Sequence, residues 1–230
     1  MTYKMNTYFC EYNIINEHLT REKYSTIFGG MSLEDDKSEL GDVNLLGRWT
    51  CVGESRGMCI VEANNNNDIQ RWVSNWTTMC DIKVKPCLDD NLIQELISGQ
   101  TSNEILYDRV SEPALDGESL YLIKYKFYTE TGFEKMVKDN LLSCDENHTS
   151  YGKWHIPNSL TSFEVVSTAK VLNLYKWVRK HKDLCSTCFY PVIDDVNTRL
   201  ILQDSYGFSE KYITLMEELL KLEYPQKRCF

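Results

Sequence analysis

Six ionisable side chains lie on equivalent predicted strands of two related parts of the chain, and these residues are best suited to acid–base chemistry. They are Glu11, Arg48, Lys124, Lys153, His155 and Glu164. The strand pattern described below predicts that all six point into the space between two sheets, where low polarity shifts pKa values. Such groups could transfer protons or bind a polar ligand. His155 would be the natural proton carrier, because imidazole titrates near neutral pH.

The same six residues also have explanations that involve no function. Glu11 and Lys124 carry opposite charges at equivalent positions, so they could pair across an interface and fix its register. Alternatively, the faces of the strands are reversed and the charged groups lie in solvent. The sequence leaves these explanations open beside the catalytic one.

Other motifs point to packing or to strand ends. The one C-x-x-C sequence, Cys185 to Cys188, lacks the second close pair of ligands that a structural zinc site needs. It also follows a predicted helix, whereas a redox cysteine needs a helix N-terminus. The acidic doublets 89–90 and 194–195 end predicted strands and lack calcium-loop spacing. With no glycine-rich phosphate loop and no G-x-S-x-G motif, the sequence predicts neither a metal nor a cofactor.

The composition restricts the partners and the compartment. The 230 residues include 25 basic and 34 acidic side chains, so the net charge is 25 − 34 = −9. This charge argues against nucleic acid and anionic membranes as main partners. No apolar run approaches the ~20 residues of a membrane helix. Nine cysteines, an odd number, do not form a secreted disulfide framework, so we expect a cytoplasmic or other intracellular protein.

An internal repeat positions the candidate residues. At an offset of 105, residues 47–90 align without a gap over 152–195, and nine of the 44 aligned pairs are identical, including Trp49/Trp154 and Trp72/Trp177. Upstream, Tyr8 to Tyr12 aligns with Tyr121 to Tyr125 at an offset of 113. The first copy therefore carries 113 − 105 = 8 extra residues, which we place at 32–39. We predict repeats at 6–92 and 119–204, a partly helical linker at 93–118 and a helical tail at 205–230.

Each copy shows the same order of elements. In the first, alternation predicts strands near residues 8–14, 43–52, 57–63 and 81–88. Apolar residues spaced by three and four predict a helix that ends at Gly29-Gly30 and another from Ile69 to Cys80. The second copy repeats this order, with helices around Phe133 to Leu141 and Val171 to His181. The order is β-α-β-β-α-β, the ferredoxin-like arrangement.

One such unit leaves a sheet face uncovered, and a second sheet is the obvious cover. The sequence therefore predicts an α+β protein. Its two ferredoxin-like units pair through their sheets into an intramolecular pseudo-twofold α/β barrel, followed by a C-terminal helix. Because one chain satisfies its own pairing, we expect a monomer.

Four segments of the first copy resemble the bacterial family of domain of unknown function 3303. The segments are LLGRW at 45–49, VE at 61–62, WVSNW at 72–76 and VKP at 84–86. The resemblance extends less strongly over 119–195, where His181 replaces the second tryptophan. It implies a dimeric α/β-barrel fold but no activity, because that superfamily includes cofactor-independent monooxygenases, isomerases, haem-binding enzymes and stress or structural proteins.

Two functions follow as hypotheses. The first is a non-catalytic module that binds a protein partner or a small molecule, since no catalytic constellation repeats in both copies. The second is a small cofactor-independent monooxygenase- or isomerase-like enzyme with its site between the sheets. The second requires an enclosed, partly polar cavity that reaches solvent, and a space filled by apolar side chains would exclude it.

Overall fold

The computed structural model of the protein describes residues 6–15, 18–99, 114, 117–139, 148–157 and 159–202. Eight strands are present in this part of the chain. They are β1 (Asn6–Ile14), β2 (Asn44–Cys51), β3 (Arg56–Ala63), β4 (Cys80–Asp89), β5 (Ser119–Phe127), β6 (Thr149–Ile156), β7 (Thr161–Thr168) and β8 (Cys185–Asp194). They form a closed barrel in the order β1-β3-β2-β8-β5-β7-β6-β4, with antiparallel neighbours.

The helices lie between the strands in the predicted order. They are α1 (His18–Gly30), α2 (Leu33–Leu40), α3 (Asn66–Trp76), α4 (Asp90–Ser98), α5 (Glu130–Lys138) and α6 (Val171–Arg179). A seventh helix, α7, is described over residues 195–202. The two β-α-β-β-α-β units are confirmed. The predicted tail helix at 205–230 lies outside the described residues.

The two repeats join through their sheets at two seams. At the first seam, Trp49 to Cys51 of β2 pair with Val192 to Asp194 of β8. At the second, Leu88 and Asp89 of β4 pair with His155 and Trp154 of β6. The predicted intramolecular pseudo-twofold barrel is therefore confirmed. Closure leaves neither sheet with an open edge at these positions.

Local sequence explains where α3 and β4 begin. The Asn65 side chain caps α3 by accepting hydrogen bonds from the backbone of Asn67 and Asp68, at 2.9 and 3.2 Å. The buried face of α3 carries Ile69, Trp72, Val73 and Trp76 at helical spacing. Cys80, expected on this helix, instead begins β4, because the chain turns between Thr77 and Met79.

The extra residues of the first copy form α2. Ser32 and Asp35 make a reciprocal capping box at its start. Near its end, Glu39 accepts hydrogen bonds from the indole nitrogens of Trp72 and Trp76, at 3.1 and 2.7 Å, and burial raises the pKa of its carboxyl. The insertion is thus tied to α3.

The described residues form three apolar cores. One lies between the first sheet and α1 and α3, and one lies between the second sheet and α5 and α6. The third fills the barrel and is called here the barrel interior. Its buried members are Phe9, Leu46, Trp49, Cys51, Met58, Ile60, Cys87, Leu120, Leu122, Trp154, Ile156, Phe163, Val165 and Val192. Among the described helices, none is long and apolar enough to cross a membrane.

Candidate functional site

The barrel interior is packed by aromatic rings from both repeats. The equivalent residues Trp49 and Trp154 meet with ring centroids 5.9 Å apart. Phe9 and Phe163 stack at 4.0 Å, with 14° between their planes. The space between the sheets is therefore filled mainly by side chains.

Glycines make room for the two indoles. A Cβ atom on Gly47 would lie 2.3 Å from Cη2 of Trp49, and one on Gly152 would lie 2.4 Å from Cη2 of Trp154. Each indole therefore folds back over the glycine two residues before it, on the same face of its strand. This contact explains the G-x-W pattern that the two copies share.

A small cavity remains at one end of the interior, and we call it the barrel mouth. Its floor consists of buried side chains, including Phe9, Met58, Leu122 and Phe163, and its rim consists of the half-buried residues Glu11, Arg56, Lys124 and Tyr190. Its volume is about 20 Å³, which is room for about one water molecule. The partial exposure of the rim opens the mouth to solvent.

The barrel mouth lies on the pseudo-twofold axis. Three pairs of equivalent positions line it: Glu11 with Lys124, Phe9 with Leu122, and Met58 with Phe163. Only a site on the axis receives both members of each pair. Glu11 and Lys124 therefore line the same cavity. Because they occupy equivalent positions but carry opposite charges, the two halves of the cavity differ in charge.

Ion pairs and aromatic contacts define the rim. Arg56 forms an ion pair with Glu54, and its Nη1 lies 3.7 Å from Oε1 of Glu11. The Arg56 guanidinium also stacks 4.5 Å from the ring centroid of Tyr190, across the first seam. The Lys124 ammonium lies 5.6 Å from the ring centroid of Phe163.

Arg56 and Tyr190 are not among the residues that the sequence predicts for this site. The predicted strand near 57–63 leaves Arg56 out, although Arg56 begins β3 and shares a strand face with Met58 and Ile60. That alternation was the available signal for Arg56. The repeat offers no such signal for Tyr190, because the equivalent residue in the first copy is Lys85.

Four of the six candidate residues lie on the outer face of the barrel, beneath the helices. They are Arg48, Lys153, His155 and Glu164. The expected placement of these four in the interior is wrong. The tryptophans take the interior face of β2 and β6, and Phe163 and Val165 take that of β7. Both faces of these strands are buried, so alternation alone could not show which face points inward.

A buried ionic network lies beside the first seam. Nε of Arg48 donates to Asp195 at 2.7 Å, and its Nη2 donates to both carboxylate oxygens of Asp36 at 2.9 Å. Nη2 of Arg199 lies 3.1 Å from Oδ1 of Asp36. Both guanidiniums stack on Phe28, at 4.5 and 4.4 Å. Burial alone would lower the pKa of Arg48, but the two carboxylates raise it.

The second seam carries the repeat-equivalent pair. Nζ of Lys153 lies 3.7 Å from Asp90, just as Arg48 faces Asp195. His155 bridges Asp90 and Ser162, with Nε2 2.7 Å from Oδ1 and Nδ1 2.6 Å from Oγ. Burial alone would raise the pKa of the Asp90 carboxyl, but the His155 hydrogen bond and the Lys153 charge hold it below its ordinary value.

Serine, histidine and aspartate also form hydrolase triads, but this group differs from one. Ser162 is 0% exposed, and the ring of Phe133 lies 5.3 Å from that of His155. The serine bonds to Nδ1 and the acid to Nε2, the reverse of the usual order. In this structure the group bonds β6, β7 and α4 together at the seam. Glu164, likewise buried, accepts a hydrogen bond from Tyr125 at 2.7 Å.

The remaining motifs have local roles. Asp89 caps α4, and Asp194 caps α7 by accepting from the backbone of Asn197 at 3.0 Å. Cys185 is buried and Cys188 exposed on β8, so the C-x-x-C cysteines lie on opposite faces of a strand. The described residues contain no group of three or more side chains suited to a metal. All seven described cysteines are free thiols.

Comparison with known proteins places the fold. The family model described as domain of unknown function (DUF3303) matches residues 16–101 and 119–206. Among curated proteins, none matches the chain. A variant of chlorite dismutase from Candidatus Nitrospira defluvii superposes with a TM-score of 0.51 at 9% identity, covering 88% of this chain and 96% of the enzyme. The same enzyme in complex with imidazole gives 0.51 at 10% identity, covering 86% and 96%.

A monooxygenase-like protein from Lactobacillus acidophilus superposes with a TM-score of 0.47 at 10% identity. The superposition covers 83% of this chain and 94% of that protein. At 9–10% identity the likeness to chlorite dismutase concerns the fold alone.

Proposed function

The chain belongs to the family of domain of unknown function 3303, as two domains in tandem, and we propose that it is a non-catalytic interaction module built on a duplicated α/β barrel. One observation carries this proposal. The space between the sheets, where the alternative enzyme would hold its substrate, is filled by the side chains of the barrel interior.

The size of the remaining cavity supports this function. The mouth holds about 20 Å³, whereas sites for drug-sized ligands hold ~300–1,000 Å³. A quinol or an aromatic aldehyde therefore does not fit between the sheets without displacing Phe9 or Phe163. The fold likeness to chlorite dismutase carries no activity to this chain, because one fold supports many functions.

The placement of the ionisable residues gives independent support. His155, the expected proton carrier, is 2% exposed and bonds to two neighbours. A general base must reach the proton that it abstracts, directly or through one water. A base enclosed in a seam does not meet that requirement.

An exposed patch on α6 supports an interaction role. Val171, Leu172 and Tyr175 are 47, 56 and 51% exposed and lie on adjacent positions of the helix surface. Adjacent exposed apolar side chains often mark contact surfaces. We propose that the chain binds a protein partner. The net charge of −9 argues against nucleic acid and anionic membranes as partners.

Turnover assays test the proposal. The purified full chain is incubated in air with quinols and with aldehydes, while oxygen consumption and products are measured. We expect rates equal to those of buffer, and the same result for His155→Ala and Glu11→Gln. Turnover by the wild type that either variant abolishes would overturn the proposal in favour of the monooxygenase- or isomerase-like enzyme.

We also propose that the chain is a monomer in solution, because both seams are satisfied within one chain. Light scattering on the full chain is expected to give a mass near 26.9 kDa. An obligate dimer at all concentrations would contradict this.

A further inference from the structure

We infer that the barrel mouth binds a small monocarboxylate, with the carboxylate at Lys124 and the apolar part against the floor. This inference rests on the proposed function in one respect: the ligand is bound and released unchanged. Beyond the proposed protein partner, the chain would have a binding site for a small molecule of a stated class.

Lys124 provides the cation for the carboxylate. Within the described part of the chain, its ammonium has no carboxylate within ion-pair distance, and its contact is the Phe163 ring. Arg56, in contrast, already pairs with Glu54 and approaches Glu11. An ammonium over an aromatic ring beside a cavity is able to bind an anion without breaking an existing ion pair.

The neighbouring strand adds positive charge. Lys83 and Lys85 of β4 are exposed and lie directly opposite Glu11 and Phe9 in the β1–β4 register. Residues opposite each other in adjacent strands share a face of the sheet. These two ammonium groups add positive charge beside the mouth, whose own lining carries two cations, Arg56 and Lys124, and one carboxylate, Glu11.

The floor determines what accompanies the carboxylate. Phe9, Met58, Leu122 and Phe163 are each at most 4% exposed and present apolar surface to the cavity. A methyl or methylene group is stabilised by contact with such surface, because its apolar area leaves water. Because the enclosed volume is about 20 Å³, only the end of a short chain enters it, and the rest of the ligand lies at the rim.

Glu11 favours a monoanion over phosphate. Its carboxylate faces the same cavity and repels additional negative charge. The apolar floor also offers no donors for the remaining oxygens of a phosphate. A short-chain carboxylic acid such as butyrate meets each of these conditions.

A chemical-shift titration of the ¹⁵N-labelled full chain with sodium butyrate tests the site. We expect saturable shifts for amides of β1, β5 and β7 around Phe9, Lys124 and Phe163, with a dissociation constant in the millimolar range. Lys124→Met is expected to weaken binding at least about tenfold. Lys124→Arg, which retains the charge, should remain within about threefold of wild type.

Lys138→Met is the matched control, because this lysine is exposed on α5 and pairs only with Glu134 among the described residues. It should bind butyrate as wild type does. The inference fails if wild type shows no saturable shift, if Lys124→Met binds equally well, or if inorganic phosphate binds more tightly than butyrate. Mass spectrometry of butyrate after incubation separates the two proposals. If butyrate binds at Lys124 and is also converted to a product, the non-catalytic function is overturned but the binding site is not.

Discussion

Arg48 of the first repeat forms a buried ion pair with Asp195 of the second, with 2.7 Å between Nε and Oδ1. The same relationship recurs between Lys153 and Asp90 at 3.7 Å. The repeat alignment pairs Arg48 with Lys153 and Asp90 with Asp195. Each seam of the barrel is therefore closed by a cation from one repeat and an aspartate from the other.

The two seams should respond differently to loss of the cation. Arg48→Met leaves Asp36 and Asp195 at 1% exposure with Arg199 as their remaining cation, and we expect a loss of about 3 kcal/mol in the free energy of unfolding, the lower end of the range for a broken buried pair. Lys153→Met should cost less, because Asp90 keeps the His155 hydrogen bond and is more exposed. Urea denaturation measures both. Arg71→Met removes an exposed pair with Asp42 and should change stability by less than ~0.5 kcal/mol.

Acid should weaken the second seam through Asp90. Its pKa is lower in the folded protein than in the unfolded chain, so its ionised form stabilises the fold above the unfolded pKa of about 3.9. This contribution is lost as the pH falls below about 4, through the folded pKa. Asp90→Asn should therefore be less stable than wild type at pH 7, and the difference should shrink in acid. A difference in unfolding free energy that stays constant from pH 7 to the acid range would contradict this.

The glycines beneath the tryptophans should not tolerate a side chain. Gly47→Ala places Cβ 2.3 Å from the Trp49 ring, and we expect a loss of ~1–3 kcal/mol from overpacking. Gly152→Ala should cost more, because Gly152 also has φ of 152°. Thermal unfolding followed by circular dichroism compares the two.

A double variant separates the clash from other effects of Gly47→Ala. Trp49→Phe removes the atoms that meet the new Cβ, so adding it should recover part of the loss, and the two changes should not be additive. Full additivity would show that the clash with the ring is not the cause.

Native thiol reactivity should distinguish Cys188 from the buried cysteines. Burial raises the pKa of the Cys80 thiol to about 12 and also raises that of Cys185, and the thiolate is the reactive form. Among the seven described cysteines, Cys188 is exposed and should react first with iodoacetamide. Peptide mass spectrometry assigns the sites. Equal labelling of Cys80 and Cys188 in the folded protein would contradict the structure.

The repeat, the order of elements and the pairing of two sheets could be predicted from the sequence. Identities such as Trp49/Trp154 are local and survive duplication, and the periods of two and 3.6 distinguish strands from helices. The alignment also located the extra residues of the first copy, which form α2. The domain boundaries at 6–92 and 119–204 and any catalytic role of the six candidate residues stay predictions.

The direction in which each strand face points was decided only by the tertiary structure. Alternation places Arg48 on one face of β2 and Gly47 and Trp49 on the other. The helix side and the barrel interior both exclude water, so the pattern is satisfied whichever face points inward. What decides is volume: the interior accepts two indoles because Gly47 and Gly152 leave space for them. The charged residues then lie on the outer face, where aspartates contributed by the other repeat compensate their burial. Those partners are 147 and 63 residues away, from Arg48 to Asp195 and from Lys153 to Asp90, and only the closed barrel brings them together.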